Sequence, residues 1–132
     1  MVRFARGTLY IMMKHEQLVR KVKLIITQLI DSGERPSIKI SVYLAKEAGF
    51  NYTYLSNVFS EVSGITIERF YIECKVEKAK EWLQHTDEPI YEIASRLHYC
   101  SKGHFSTQFK SVAGINPSVY RLNSRRSIDN TD

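Results

Sequence analysis

The sequence predicts an all-α fold of about seven helices, in which two similar helical units are joined by one long helix. Three observations lead there. From residue 15 onward the apolar residues recur with the period of a helix. Pro and Gly are few and fall where helices would stop. A stretch near residues 44–70 recurs near residues 93–120 with one residue added. Residues 1–13 alone read ambiguously.

The first helix is expected over about His15 to Asp31, where Leu18, Val22, Ile25, Ile26 and Leu29 share a face. Gly33 and Pro36 end it. A short helix follows Ser41, a residue suited to N-capping, and stops at Gly49. Asn51 caps the next helix, which runs to about Ser63 before Gly64. A long helix covers about Thr66 to His85. Its apolar face is Ile67, Phe70, Cys74, Val76, Ala79 and Leu83, and Glu73, Glu77, Lys78, Lys80 and Glu81 form a solvated face. Arg69, three residues after Thr66, denies it a capping box. Pro89 opens a short helix from about Ile90 to Leu97. Another spans about Ser101 to Val112 and stops at Gly114. Pro117 opens a last one through Tyr120.

The domain plan follows. Residues 1–14 form an N-terminal segment, disordered or a junction. Residues 15–123 form the working domain: unit one at about 15–64, the linker helix at 66–85 and unit two at about 90–122. Residues 124–132 form a flexible tail.

A chain of 132 residues suits one domain with a real core. No apolar run nears the ~20 residues of a membrane helix, and the N-terminus lacks a signal-peptide pattern. Cys74 and Cys100 fit no zinc spacing with each other or with His15, His85, His98 and His104, and read as reduced thiols of a cytoplasmic protein. No nucleophile with a nearby base and no phosphate-cradling Gly loop is present. The sequence therefore predicts no enzyme, no cofactor and no metal. The net charge of +5 favours polyanions weakly. Most of it sits in residues 1–32, with six Lys/Arg against two Asp/Glu; residues 33–132 hold thirteen against twelve.

The repeat is specific. At a shift of 49, Leu44, Ala45, Ala48 and Phe50 meet Ile93, Ala94, Leu97 and Tyr99. At a shift of 50, Leu55, Ser56 and Phe59 meet Phe105, Ser106 and Phe109, and Val62, Gly64, Ile65 and Phe70 meet Val112, Gly114, Ile115 and Tyr120. The one-residue change falls in the turn between two helices, where it costs least. Each copy is a short helix with a small residue at the crossing, a tight turn and a second amphipathic helix. That is the helix-turn-helix pattern, twice.

At LAKEAGF and YLSNVFSEVSG over 44–64, and IASRLHYCSKGHFSTQFKSVAGINPSVYR over 93–121, the sequence resembles the arabinose-operon regulator (AraC-type) family of transcription factors. Its most specific part is Phe109, Lys110, Gly114, Pro117, Tyr120 and Arg121. The resemblance implies seven helices, two units that both read double-stranded DNA, and activation through contact with RNA polymerase.

The two reading helices would enter successive major grooves about 34 Å apart. In the first, Leu55, Val58, Phe59 and Val62 must face inward, which leaves Tyr52, Thr53, Ser56 and Asn57 outward. The resemblance places Thr53, Ser56 and Asn57 at family contact positions; Asn57 suits adenine and Thr53 a thymine methyl. In the second, Phe105, Phe109 and Val112 face inward, leaving Lys102, His104, Ser106 and Thr107 for DNA. Many family members carry Arg at the positions of Asn57 and Thr107, and the first reading helix has no Lys or Arg at all. Affinity should then lean on helix N-termini against phosphates, on Lys102, Lys110 and Arg121, and on dimerisation or an added segment. The oligomeric state stays open between monomer and weak dimer, and the expected location is the nucleoid-bearing cytoplasm. His98 stands where unit one has Gly49, a turn position that often needs positive φ. A protein-interaction module on the same fold, with weak or no specific DNA binding, is the alternative reading. The missing arginines favour it; the scarcity of exposed aromatics beyond Tyr52 and Tyr54 opposes it.

Overall fold

A computed structural model describes residues 6–129 of the chain. Among them every regular element is a helix: α1 (Arg6–Ser32), α2 (Ile40–Ala48), α3 (Tyr52–Ser63), α4 (Ile67–His85), α5 (Ile90–Arg96), α6 (Lys102–Ala113) and α7 (Pro117–Asp129). The chain divides into two compact units. The first holds α1 as far as Gln28 together with Pro36–Phe70; the second holds Leu29–Arg35 and the chain from Tyr71 onward.

The first unit packs Leu18, Val19, Val22 and Ile26 of α1, Leu44 and Ala48 of α2, and Leu55, Val58 and Phe59 of α3, all buried. Lys21 donates to the Ala48 carbonyl at 3.3 Å, a cation at the negative end of α2. Phe59 and Phe70 meet with centroids 5.6 Å apart, and the Lys23 ammonium lies 5.5 Å from the Phe70 ring. The second unit buries Leu29, Ile30, Val76, Ala79, Leu83, Ile93, Ala94, Leu97, Phe105 and Phe109. A run of aromatic rings, Tyr99–Phe105–Phe109–Tyr120, passes through it at centroid spacings of 5.2, 5.7 and 5.6 Å.

Several boundaries differ from the sequence expectation. Helix α1 begins at Arg6, not near His15, so residues 6–14 are helical; residues 1–5 lie outside the described residues. Leu9, Ile11, Met12 and Met13 are all exposed, so no core face prints a period on this stretch. Leu9, Met12, Met13 and Lys14 are good helix formers and continue the helix regardless. Helix α7 runs on to Asp129, through most of the expected tail, whose residues 130–132 lie outside the described ones. Arg125 ties it down, with Nη1 donating to Asp87 at 2.8 Å and Nη2 to the Thr86 carbonyl. Ser41 is not an N-cap: α2 starts at Ile40, and Lys39 precedes it without a side-chain cap. Thr66 does cap α4, since its Oγ1 accepts from the Arg69 amide at 3.0 Å. A capping box needs an acidic or amide partner, but the hydroxyl cap alone does not. Val62 is 41% exposed rather than inward, because it lies in the last turn of α3.

Candidate nucleic-acid interface

Each unit presents one capped helix after a tight turn. In the first, Gly49 ends α2 at φ 82°, and the Asn51 side chain accepts from the Tyr54 amide at 2.8 Å to start α3. In the second, Ser101 Oγ accepts from the His104 amide at 3.1 Å to start α6. The caps are equivalent at the shift of 50, and α3 and α6 both close on a left-handed glycine, Gly64 and Gly114. Capping consumes one of the free amides of the first turn and leaves others turned outward.

Burial fixes the phase. Leu55 with Phe59, and Phe105 with Phe109, are buried at equivalent positions. Thr53 and Asn57 of α3 are therefore exposed, as are Lys102, His104, Thr107 and Lys110 of α6. Ser56 and Ser106 are half-buried at the edge of each face. His104 stands edge-on to Tyr99, centroids 5.3 Å apart, which holds its ring without covering it.

Two expected contact residues are engaged elsewhere. Arg121 donates from Nε to the Leu83 carbonyl at 3.0 Å and from Nη2 to the Thr86 carbonyl at 3.2 Å. Its guanidinium closes the C-terminus of α4, so its sequence position at the end of unit two reflects a helix cap rather than a free cation. Tyr52 donates its hydroxyl to Glu68 at the start of α4. Burial, helped by Glu68, pushes its phenol above the ordinary range. The ring anchors α3 and is half-buried.

Sequence reasoning named Tyr54 only as an exposed aromatic and passed over Lys39 and Lys46. Tyr54 occupies in α3 the place of His104 in α6; it is exposed, packed on Phe50 at 5.2 Å and 3.4 Å from the His15 ring nitrogen. Lys39 before α2 and Lys46 in its last turn are exposed cations of a unit whose reading helix has none. Pairing the copies residue by residue brings Tyr54 forward, opposite His104; the two lysines have no cationic counterpart in the second copy. Lys75, which the sequence reading assigned to neither face of the long helix, is 6% exposed. Its ammonium lies between two aromatic faces, 4.3 Å from the Tyr71 centroid and 4.0 Å from that of Tyr99. Burial lowers it to about 8, while the two rings favour the cation.

His98 has φ 70° and is the one described non-glycine residue at positive φ, as its match to Gly49 predicts. Its Nε2 lies 2.7 Å from the Glu34 carbonyl, which can only accept, so that nitrogen carries the hydrogen. Nδ1 then accepts from the Tyr71 hydroxyl. Burial, with Lys75 and Arg35 nearby, lowers the imidazole pKa, and the ring is held neutral. Among the described residues no group of three or more His, Cys, Asp or Glu is placed to hold a metal, and no helix is long and apolar enough to cross a membrane. The site offers hydroxyls, amides, an imidazole and ammonium groups on two helix faces. These are groups that bind base edges and phosphates.

Comparison with known proteins agrees with this geometry. A family described as "Helix-turn-helix domain" matches residues 44–123, more than half of the chain. The regulatory protein SoxS of Salmonella typhimurium is 30% identical over 109 residues, covering 83% of this chain and 97% of SoxS. The C-terminal domain of AraT, a response regulator of Geobacillus stearothermophilus, superposes with a TM-score of 0.71 at 29% identity, over 80% of this chain and 84% of that one. The DNA-binding domain of the transcriptional factor AdpA, solved with a target DNA, shares the fold at a TM-score of 0.71 and 19% identity, over 83% and 97% of the two chains. Against three further curated relatives, the chain spans 11%, 58% and 58% of their length.

Proposed function

Because the chain belongs to the AraC-type helix-turn-helix family, we propose that it is a sequence-specific DNA-binding regulator of transcription whose α3 and α6 each enter a major groove. The observation that carries this is the matched pair of capped helices with polar outer faces. Asn57 on α3 reads a base edge, with Thr53 beside it; Thr107 does the same on α6, with His104. Lys102 and Lys110 hold phosphates beside α6. Unit one, lacking cations on α3, takes its phosphate contacts from outward amides at the α3 N-terminus and from Lys39 and Lys46 at the two ends of α2, the helix that crosses the backbone in this motif. Ser56 and Ser106 work from the rim of each face. Contact with RNA polymerase belongs to the same proposal as the route to activation, and the site of action is the bacterial cytoplasm, where the DNA lies.

The test is selection from a randomised duplex library, followed by salt titration on the enriched sequence. The expected result is a two-part, non-palindromic motif with halves about one helical turn apart. Lys102→Ala should then lower affinity for all sequences alike and reduce the salt slope by about one. An absence of any enriched motif at low salt would overturn the proposal in favour of a protein-interaction module.

A further inference from the structure

The first three turns of α1 have a use that DNA reading does not explain. Residues 9–13 are exposed all round: Leu9 50%, Tyr10 61%, Ile11 53%, Met12 42% and Met13 52%. Lys14 lies over the Tyr10 ring, 5.4 Å from its centroid, and gives that one residue partial cover. A run of five exposed large apolar residues marks an interaction surface far better than scattered ones do.

The order of residues says what fits there. Arg6, Leu9, Met13 and Glu16 are spaced by three, four and three, so they form one narrow stripe along the helix. At 100° per residue this stripe points away from the arc on which Leu18, Val22 and Ile26 pack. It is self-complementary. Turned end for end about the level of residue 11, Arg6 falls opposite Glu16 and Leu9 opposite Met13. An apolar centre is then closed at both ends by an ion pair, as a twofold interface between identical helices requires. Beside the stripe lies a shallow cleft of about 280 Å³, lined by Met12, His15, Glu16, Glu61 and Val62. It sets Met12 and Val62 beside two carboxylates of like sign, whose repulsion an incoming arginine would relieve.

We propose that α1 pairs antiparallel with α1 of a second copy of this chain, Leu9 and Met13 packing across the twofold axis and Arg6 of each copy meeting Glu16 of the other. Four stripe residues per copy bury less than the ~800 Å² per partner of a standard interface. The dimer is therefore weak and concentration-dependent in free solution. Bound side by side on DNA, two copies raise each other's effective concentration, which offsets the scarcity of cations on α3.

The experiment is sedimentation equilibrium of the whole chain, from micromolar to millimolar concentration, with circular dichroism to confirm that each variant stays folded. The wild-type chain should show a monomer–dimer equilibrium. Met13→Glu should abolish it. Arg6→Glu and Glu16→Arg should each weaken it about tenfold by setting like charges opposite one another. The double variant, Arg6→Glu with Glu16→Arg, should restore it, because only the antiparallel register re-forms both pairs. A chain that stays monomeric throughout, or a double variant no better than the single ones, would overturn the proposal and assign the stripe to a different partner.

Discussion

The two units share a plan and differ in what they put on it. Both bury a leucine or phenylalanine and then a phenylalanine at matching positions, Leu55 and Phe59 in one, Phe105 and Phe109 in the other. Both start the reading helix with a side-chain cap. Yet α3 carries no cation and one carboxylate, Glu61 in its last turn, whereas α6 offers Lys102 and Lys110. The turn before α3 spans residues 49–51 and uses a glycine at positive φ; the turn before α6 spans residues 97–101 and uses His98. The second unit also buries a lysine between two tyrosines. Packing thus fixes the shared plan, while the outer faces and turns are free to diverge. On the proposed function, α6 with its two lysines is suited to hold the DNA, and α3, which has no cation, to discriminate.

The shared core gives the largest test of the comparison. Phe59→Ala and Phe109→Ala should each cost about 3–5 kcal/mol in urea denaturation, because both rings are fully buried. If one cost far less, the units would not be equivalent in packing.

The buried lysine should separate the units next. In the folded protein Lys75 is lowered to about 8, below the usual value near 10.4 of an unfolded chain. Between those values the unfolded state binds more protons, so stability rises with pH by at most about 1.4 kcal/mol per unit. The trend fades toward pH 10. Above that, the Tyr71 phenol, pushed up to about 12 mainly by burial, makes stability fall again, since the unfolded chain ionises first. Lys75→Met should flatten the rise between pH 8 and 10 in thermal melts taken across that range. An unchanged profile would show that Lys75 is not the group responsible.

The turns provide the smallest effect. At Gly49 an added Cβ meets nothing within 4 Å, so Gly49→Ala should cost only the backbone term, about 1–2 kcal/mol. His98→Gly relieves that term but removes the hydrogen bonds to Glu34 and Tyr71, so it should still destabilise by about 1 kcal/mol. A more stable His98→Gly protein would mean that those bonds contribute little.

Much of this was legible in the sequence, and for definite reasons. The heptad-like apolar spacing, the glycine stops and the Asn51 cap give the helices, and residue-by-residue pairing of the copies gives His98 its conformation. Periodicity fails where no core faces the helix, as over residues 6–14. It also fails to tell a free cation from an occupied one. Arg121 and Lys110 look alike in sequence, but Arg121 spends its donors on carbonyls at the end of α4 and Lys110 is exposed. The burial of Lys75 was not legible because its partners are the ring faces of Tyr71 and Tyr99, the latter 24 residues away in sequence.

On the proposed function, α3 and α6 read two different halves of one site. The most direct test measures binding to every single-base substitution across the selected DNA, for the wild-type chain, Asn57→Ala and Thr107→Ala. The account predicts that each variant loses about 1–3 kcal/mol of discrimination in one half only, and that the two halves differ. Equal losses across both halves, or losses by both variants in the same half, would contradict it.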